Sequence, residues 1–415
     1  MFFFYLYIIA VLLFGGYIIG PFSIRVYMVL IMLIHLIVQY SKGKKSSLPI
    51  SYIYWYIAFI LVMALAFLIT GEFFVFGFIK FILANHLVCI VTYFAIGLYI
   101  TDYNKLKGVT KVLVGIMFFT SIITILQYYN NPIGWNFARA FSTSRMSETL
   151  SDKLLRFSEE SSMLGHSYAM GIFDFAFSNA MFIASTSVLS LYWALRKQEK
   201  GGIRLWYLFV FLVGLMGCFA TQQRAAFYCL VIISGVIIWE NIKNPIFRVI
   251  LLGFILLVLV YSNTSSPFFE NEELGRMSAI GNFEKDSRYM MWQNAIRFIG
   301  HNVFGGPLAF ILINNNMPAH NFIFNAFIYG GLFGGTIVII LFIKMLAQIF
   351  KSIKKRNLST SKYLSSLYAL ELLIFFICGM FHNSSLVFGS VLIFVLFPLM
   401  MCDRNFWMKN HHNQI

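Results

Sequence analysis

The sequence predicts an all-α, polytopic membrane protein, and three observations lead there. Of 415 residues, 60% are hydrophobic and 11% charged, whereas soluble domains carry roughly a quarter charged residues. The mean hydropathy is +0.78. Runs such as 50–70, 78–100, 109–128, 205–220 and 246–262 approach or exceed the ~20 apolar residues that cross a bilayer. Inside lipid every backbone N–H and C=O needs an internal partner, so runs of this kind are helices.

In chain order, about twelve spans are expected on this length criterion. They fall at 2–20, 22–40, 50–70, 78–100, 109–128, 165–195, 205–220, 225–239, 246–262, 322–349, 364–382 and 385–402. Together they form one integral membrane domain over 1–415. An outer loop occupies 129–164, and a long extracytoplasmic loop, 263–320, joins spans nine and ten. No basic residue precedes the first span, so a cleavable signal peptide is not expected. The Phe-rich surroundings of Gly15-Gly16 and Gly330-Gly331 predict close helix packing at both places.

Lysine and arginine set the orientation. With the N-terminus inside, segments 41–49, 101–111, 196–204, 240–248, 350–363 and 403–415 are cytoplasmic, as is the C-terminus. Together with Lys344 they hold 20 of the 31 basic residues, the excess in short inner loops that the positive-inside rule describes. The net charge of +15 follows from this topology and does not point to nucleic acid.

The two faces also differ in kind. Inside, 15 of 20 basic residues are Lys; outside, 8 of 11 are Arg. Inner Lys suits contact with anionic lipid headgroups. Outer Arg suits planar, bidentate binding of phosphate or carboxylate, or ion pairs with Glu159, Glu160, Glu272 and Glu273. The outer face is expected to bind an anion.

Three outer segments carry the candidates. In the first loop, Arg156 precedes Glu159-Glu160-Ser161-Ser162. A tight turn, Thr221-Gln222-Gln223-Arg224-Ala225, puts Arg224 at a helix start, whose free N–H groups favour anions. The long loop supplies Asp286-Ser287-Arg288-Tyr289, with Trp292 four residues after Arg288 on the same helix face. Asp286 or Ser287 is suited to cap that helix. Trp292 is a membrane-interface anchor or a sugar contact. The loop closes on Pro318-Ala319-His320-Asn321, before an apolar span carrying Gly330-Gly331-Leu332-Phe333-Gly334-Gly335.

Over roughly residues 150–345 this pattern resembles the O-antigen polymerase and O-antigen ligase superfamily, with its related capsule and exopolysaccharide polymerases. Arg156 with Glu160-Ser161-Ser162, Arg224 in a short outer turn, Arg288 with Trp292, Phe304-Gly305-Gly306-Pro307 and Ala319-His320-Asn321 carry the resemblance. The short turn reads Gln223-Arg224-Ala225 where the family often has Ser-Arg-Gly, and His301-Asn302-Val303 stands before the Gly turn where a Pro is common.

The resemblance implies glycosyl transfer at the outer face of a bacterial cytoplasmic (inner) membrane. The donor would be a polyprenyl-pyrophosphate-linked oligosaccharide, with neither metal nor cofactor; a chain-length regulator would be a further partner. Arg224 and Arg288, with Arg156 as a third, would stabilise the pyrophosphate leaving group. His320 would take the proton from the acceptor hydroxyl or position it, a role suited to a side chain that titrates near neutrality. Polymerase and ligase share this donor chemistry and differ in acceptor; a polymerase is the expected member.

Other chemistries find little support. There is no Asp-x-Asp pair for a metal-bound nucleotide sugar and no Gly-Lys-Ser/Thr phosphate loop. Cys89, Cys218, Cys229, Cys378 and Cys402 fall in or at the inner ends of spans, so neither a disulfide framework nor a zinc cluster is indicated. His166 is a rival base. The reading from another class is a lipid-linked oligosaccharide transporter (flippase), whose site would use intramembrane ionisable residues drawn from Asp174, Glu371, His35 and His86.

Overall fold

The computed structural model describes residues 1–15, 17–72, 75–129, 131–142, 169–173, 176–196, 201–241, 287–314, 319–354, 364–380 and 387–412, with 246, 248, 252 and 253. These are almost wholly helical. In order they are α1 (Phe2–Leu13), a short hairpin of β1 (Ile18–Ile19) and β2 (Phe22–Ser23), α2 (Ile24–Ser41), α3 (Ser51–Ile69), α4 (Val75–Phe81), α5 (Val88–Tyr99), α6 (Tyr103–Tyr128) and α7 (Pro132–Ser142). Then come α8 (Ala176–Leu195), α9 (Gly201–Ala220), α10 (Arg224–Asn241), α11 (Ser287–His301), α12 (Pro307–Ile313), α13 (Phe322–Lys354), α14 (Ser365–Gly379) and α15 (Val391–His412). A π-helical turn, Ile82–Leu87, joins α4 to α5.

Six helical segments among the described residues are long and apolar enough to cross a membrane: Ile24–Ser41, Ser51–Ile69, Gly77–Tyr99, Tyr103–Tyr128, Gly201–Ala220 and Phe322–Ile353. Phe2–Leu13, Ala225–Asn241 and Ser366–Gly379 are shorter apolar helices. The chain is therefore an α-helical membrane protein with at least these six candidate spans. The expected span 246–262 lies almost entirely outside the described residues.

Several expected boundaries are corrected. The run 2–20 is not one helix: α1 ends at Leu13, and Ile18 and Ile19 pair with Ser23 and Phe22. Gly15, Gly20 and Pro21 interrupt helical geometry there, with Gly20 at φ +60°. Gly15 admits the Arg25 guanidinium, whose Nη2 would lie 2.0 Å from an added Cβ, so close approach there is by a side chain and not by a helix. Within the 165–195 run the described residues 169–173 are not helical and α8 is described from Ala176; within the 385–402 run 387–390 are not helical and α15 starts at Val391. In the 263–320 loop the helix expected after Asp286-Ser287 is present as α11, and a second, unexpected helix, α12, follows it; both pack against α13.

The core is built on α8, which contacts α6, α9, α10 and α14. Ser185, Thr186, Ser187 and Ser190 are fully buried on it. Ser185 and Ser190 return their hydroxyls to the Met181 and Ser187 carbonyls, each at 2.7 Å, so small polar residues cost little while letting neighbours come close. Gly214 and Gly217 of α9 use that space, against Ser187 and Ser121. Buried amides lock α6 in place: Asn179 donates to Thr124 at 2.7 Å and accepts from Thr120 at 2.9 Å. Gln127 accepts from the Gly171 N–H at 2.8 Å and donates to its carbonyl at 2.9 Å.

The bundle has two ends. At one, Ser47 bonds to the Gly97 carbonyl, Asn405 to the Ser47 carbonyl, Arg196 to Tyr103, and Arg204 to the Ala194 carbonyl. This is where Lys42, Lys44, Lys45, Lys105 and Lys107 lie. At the other end α6, α9 and α14 finish and α10 and α13 begin.

Replacing Gln127 by Leu leaves the buried Gly171 amide and carbonyl unpartnered, at a cost of about 1–3 kcal/mol each. Thermal unfolding in detergent is expected to show a clear loss of Tm for Gln127→Leu and a smaller one for Gln127→Glu, which retains the acceptor.

Candidate functional site

Helix α13 is broken inside the expected span. Gly331 has φ 62° and ψ −164°, a conformation closed to other residues. In a continuous helix the Leu332 N–H would donate to the Ile328 carbonyl. Here Leu332 N donates instead to the Val303 carbonyl at 2.8 Å, and the Ile328 carbonyl accepts from Gly306 N at 2.9 Å. The turn 303–306 thus occupies both halves of the broken bond. An added Cβ would lie 2.4 Å from Val303 O at Gly331, and 2.5 Å from Ile328 O at Gly305. Gly305 and Gly331 are two sides of one contact.

Helix α12 follows directly, with Pro307 in its first turn. Glu72, just beyond α3, accepts from the N–H groups of Leu308 and Ala309, both at 3.1 Å. Its carboxylate satisfies amides that a helix start leaves open and ties the turn to α3. A separate apolar cluster of Ala295, Phe298, Phe310, Ala319 and Ile328 holds α11, α12 and α13 together, and Asn294 donates to Asn314 at 3.0 Å.

The sequence before α13 is shaped by two asparagines. Asn321 Oδ1 accepts from Ile323 N at 2.9 Å and Phe324 N at 3.2 Å, capping α13. Its Nδ2 donates to the Met380 carbonyl at the end of α14, 3.1 Å away. Asn325 Oδ1 accepts from Ala319 N at 3.3 Å. Between these anchors His320 has φ 48°, left-handed backbone that a non-glycine residue adopts only under constraint. Its side chain is partly exposed, while Ala319 and Asn321 are buried.

Two contacts show how the expected site residues are arranged. Trp292 meets Phe324 edge-on, ring centroids 6.2 Å apart, and further along Val303 bonds Leu332. Helix α11 therefore runs parallel to the start of α13. Arg288 stands one turn before Trp292, and His320 one turn before Phe324, so their backbone positions share one end. Arg224 opens α10 at the end where α14 finishes, and α10 packs against α14. Asn321 is anchored at that same end of α14.

The structure brings the positions of Arg288, Trp292 and His320 together and puts that of Arg224 at the same end of the bundle. Arg156, His166 and Asp174 lie outside the described residues. Sequence reasoning missed Asn325, Glu72 and the break at Gly331; the repeat of Asn at 321 and 325, one helical turn apart, was the signal for the first.

The remaining ionisable candidates are scattered. His35 stacks on Tyr99 at the Lys-bearing end, centroids 5.8 Å apart. His86 lies on the π-helical turn, with Nδ1 2.7 Å from the Tyr56 hydroxyl. Glu371 of α14 is fully buried, and neither carboxylate oxygen has a hydrogen-bond partner among the described residues. No group of three or more His, Cys, Asp or Glu suited to a metal ion is found among the described residues. No protein-family model and no curated protein matches this chain.

Two substitutions test this architecture. Gly331→Ala forces a Cβ onto the Val303 carbonyl and is expected to destabilise by more than the ~1 kcal/mol of an ordinary glycine replacement, read as a Tm drop in detergent. Asn321→Ala is expected to cost about 0.5–2 kcal/mol through the lost cap, with Asn321→Asp recovering part of it because only the bond to Met380 is lost.

Proposed function

We propose that this chain is a glycosyltransferase that polymerises polyprenyl-pyrophosphate-linked oligosaccharide repeat units on the outer face of a bacterial cytoplasmic membrane, a member of the O-antigen polymerase and ligase superfamily. The reading includes about twelve spans, both termini in the cytoplasm, and the end bearing His320 facing out. It makes the product an O-antigen, capsule or exopolysaccharide, with a chain-length regulator as partner.

One observation carries it. The parallel register of α11 and α13, read from Trp292 against Phe324 and Val303 against Leu332, supports a reading in which Arg288 and His320 act at one end of the bundle, opposite the Lys-bearing loops. In the proposed reaction an acceptor hydroxyl attacks the anomeric carbon of the donor and that carbon's bond to pyrophosphate breaks. The bonding pair leaves on the pyrophosphate, whose charge Arg224, Arg288 and Arg156 stabilise. The acceptor proton passes to His320. Trp292 offers its ring to a sugar of the chain. Asn325 holds Ala319 on one side of His320 and Asn321 caps α13 on the other, which fixes the base before substrate arrives, and such positioning lowers a barrier. A ligase would use the same donor site with a lipid core or a protein as acceptor.

A second reading, transport of the lipid-linked oligosaccharide, is favoured by one observation, the buried carboxylate of Glu371, which has no hydrogen-bond partner among the described residues, since such groups mark transport pathways.

Purified protein given a synthetic polyprenyl-pyrophosphate oligosaccharide and EDTA is expected to yield a ladder of repeat units on gels. An intact donor, even with candidate acceptors added, would sink the enzyme reading. His320→Asn is the informative variant, because Asn tolerates left-handed backbone whereas Ala would add strain. It is expected to lower turnover by roughly 10²-fold or more with Tm unchanged. Arg288→Lys should also lose activity, since an ammonium cannot reproduce the guanidinium fork; full activity in either variant removes that residue from the mechanism.

A further inference from the structure

A cavity of about 690 Å³ opens between α1, α2 and α5 at the Lys-bearing end of the bundle. Its wall changes character along its length. On α2, Ile31, His35 and Gln39 line it at intervals of four residues, a single stripe graded from apolar to polar, and Lys44 lies just past the helix end. Across from them stand Leu98 and Tyr99 at the end of α5, then Thr101 and Lys105. The inner part is apolar and aromatic; the cations are at the rim.

Neither the cavity nor its gradient serves the site around His320, which lies at the other end. Lys105 is engaged by Asp102 at 3.1 Å and Thr101 at 2.6 Å, while Lys44 forms no ion pair among the described residues. The neighbouring face of α2 is apolar and uncovered, with Ile34 64% and Ile37 60% exposed, as befits a surface bathed in acyl chains. An occupant must match an apolar interior continuous with lipid and a cationic mouth at the level of the headgroups.

We propose that this cavity binds one anionic diacyl phospholipid of the Lys-bearing leaflet, its phosphodiester at Lys44, Lys105 and Gln39 and an acyl chain along Ile31, Phe3 and Leu98. Basic pockets between spanning helices on the cytoplasmic side take such headgroups. A free phosphate satisfies only the rim and leaves the apolar part unfilled. The same lysines also offset the carbonyl ends of α2 and α5, a role that needs no ligand and that the test must separate.

Protein delipidated in detergent is titrated with phosphatidylglycerol, with phosphatidylcholine of the same chains, and with inorganic phosphate, following Tm and, by native mass spectrometry, retained lipid. Phosphatidylglycerol is expected to raise Tm saturably with one molecule retained, and the other two to leave it unchanged. Lys44→Glu should weaken that response about tenfold or more, and Ile31→Trp, which fills the apolar part without touching charge, should remove the retained molecule. Equal responses to phosphatidylglycerol and phosphatidylcholine would overturn the proposal. So would a shift reproduced by phosphate alone, or a Lys44→Glu variant that loses Tm without lipid yet keeps its full response to phosphatidylglycerol.

Discussion

The rule that no backbone polar group goes unpartnered in lipid is met at Gly331 by an exchange, and the arrangement of the candidate site depends on it. One helical bond is given up, and both of its groups are taken by a turn thirty residues earlier in the chain. That turn ends α11 and starts α12, so their placement follows from where α13 breaks. Glu72 then fastens the far side of the turn to α3. From this junction α11 and α13 run back side by side to the end where Arg288 and His320 sit.

Much of the bundle was legible because its signal is a simple one, length of apolar sequence. Ser51–Ile69 and Tyr103–Tyr128 lie close to the expected runs, and the described basic residues Lys42, Lys44, Lys45, Lys105, Lys107, Arg196 and Arg204 gather at one end as their charge pattern implies. What escaped was set by tertiary partners. In 2–20 the glycines at 15 and 16 were read as packing features, and Gly20-Pro21 was not read as the hairpin turn that it makes. Within 263–320 the helix after Asp286-Ser287 was expected, and it is α11; the seven residues of α12 are too short a stretch to show a helical period.

At the site the residue types were readable and their support was not. Arg288, Trp292 and His320 stood out as chemistry-bearing residues in a polar stretch. That they share an end depends on a parallel register set by Trp292 against Phe324 and Val303 against Leu332, contacts between residues about thirty positions apart. The left-handed backbone of His320 likewise has no signature of its own; it results from Asn321 and Asn325 holding the chain on either side. The Gly pairs at 305 and 330 were each noticed, yet only the approach of Gly305 to Gly331 shows why these two must be glycine.

The α11–α12 pair has a consequence for how this protein sits in its surroundings. Ile296, Phe304, Leu308 and Leu312 are 49–75% exposed on it, an apolar outer surface facing away from the cluster that binds the pair to α13. The chain runs along α11, beside the first half of α13, as far as the break and turns there into α12. The positions of Arg288 and His320, before and after the pair, lie toward one end of the bundle. The pair thus widens the apolar flank of α13 without adding a helix that passes from one end of the bundle to the other.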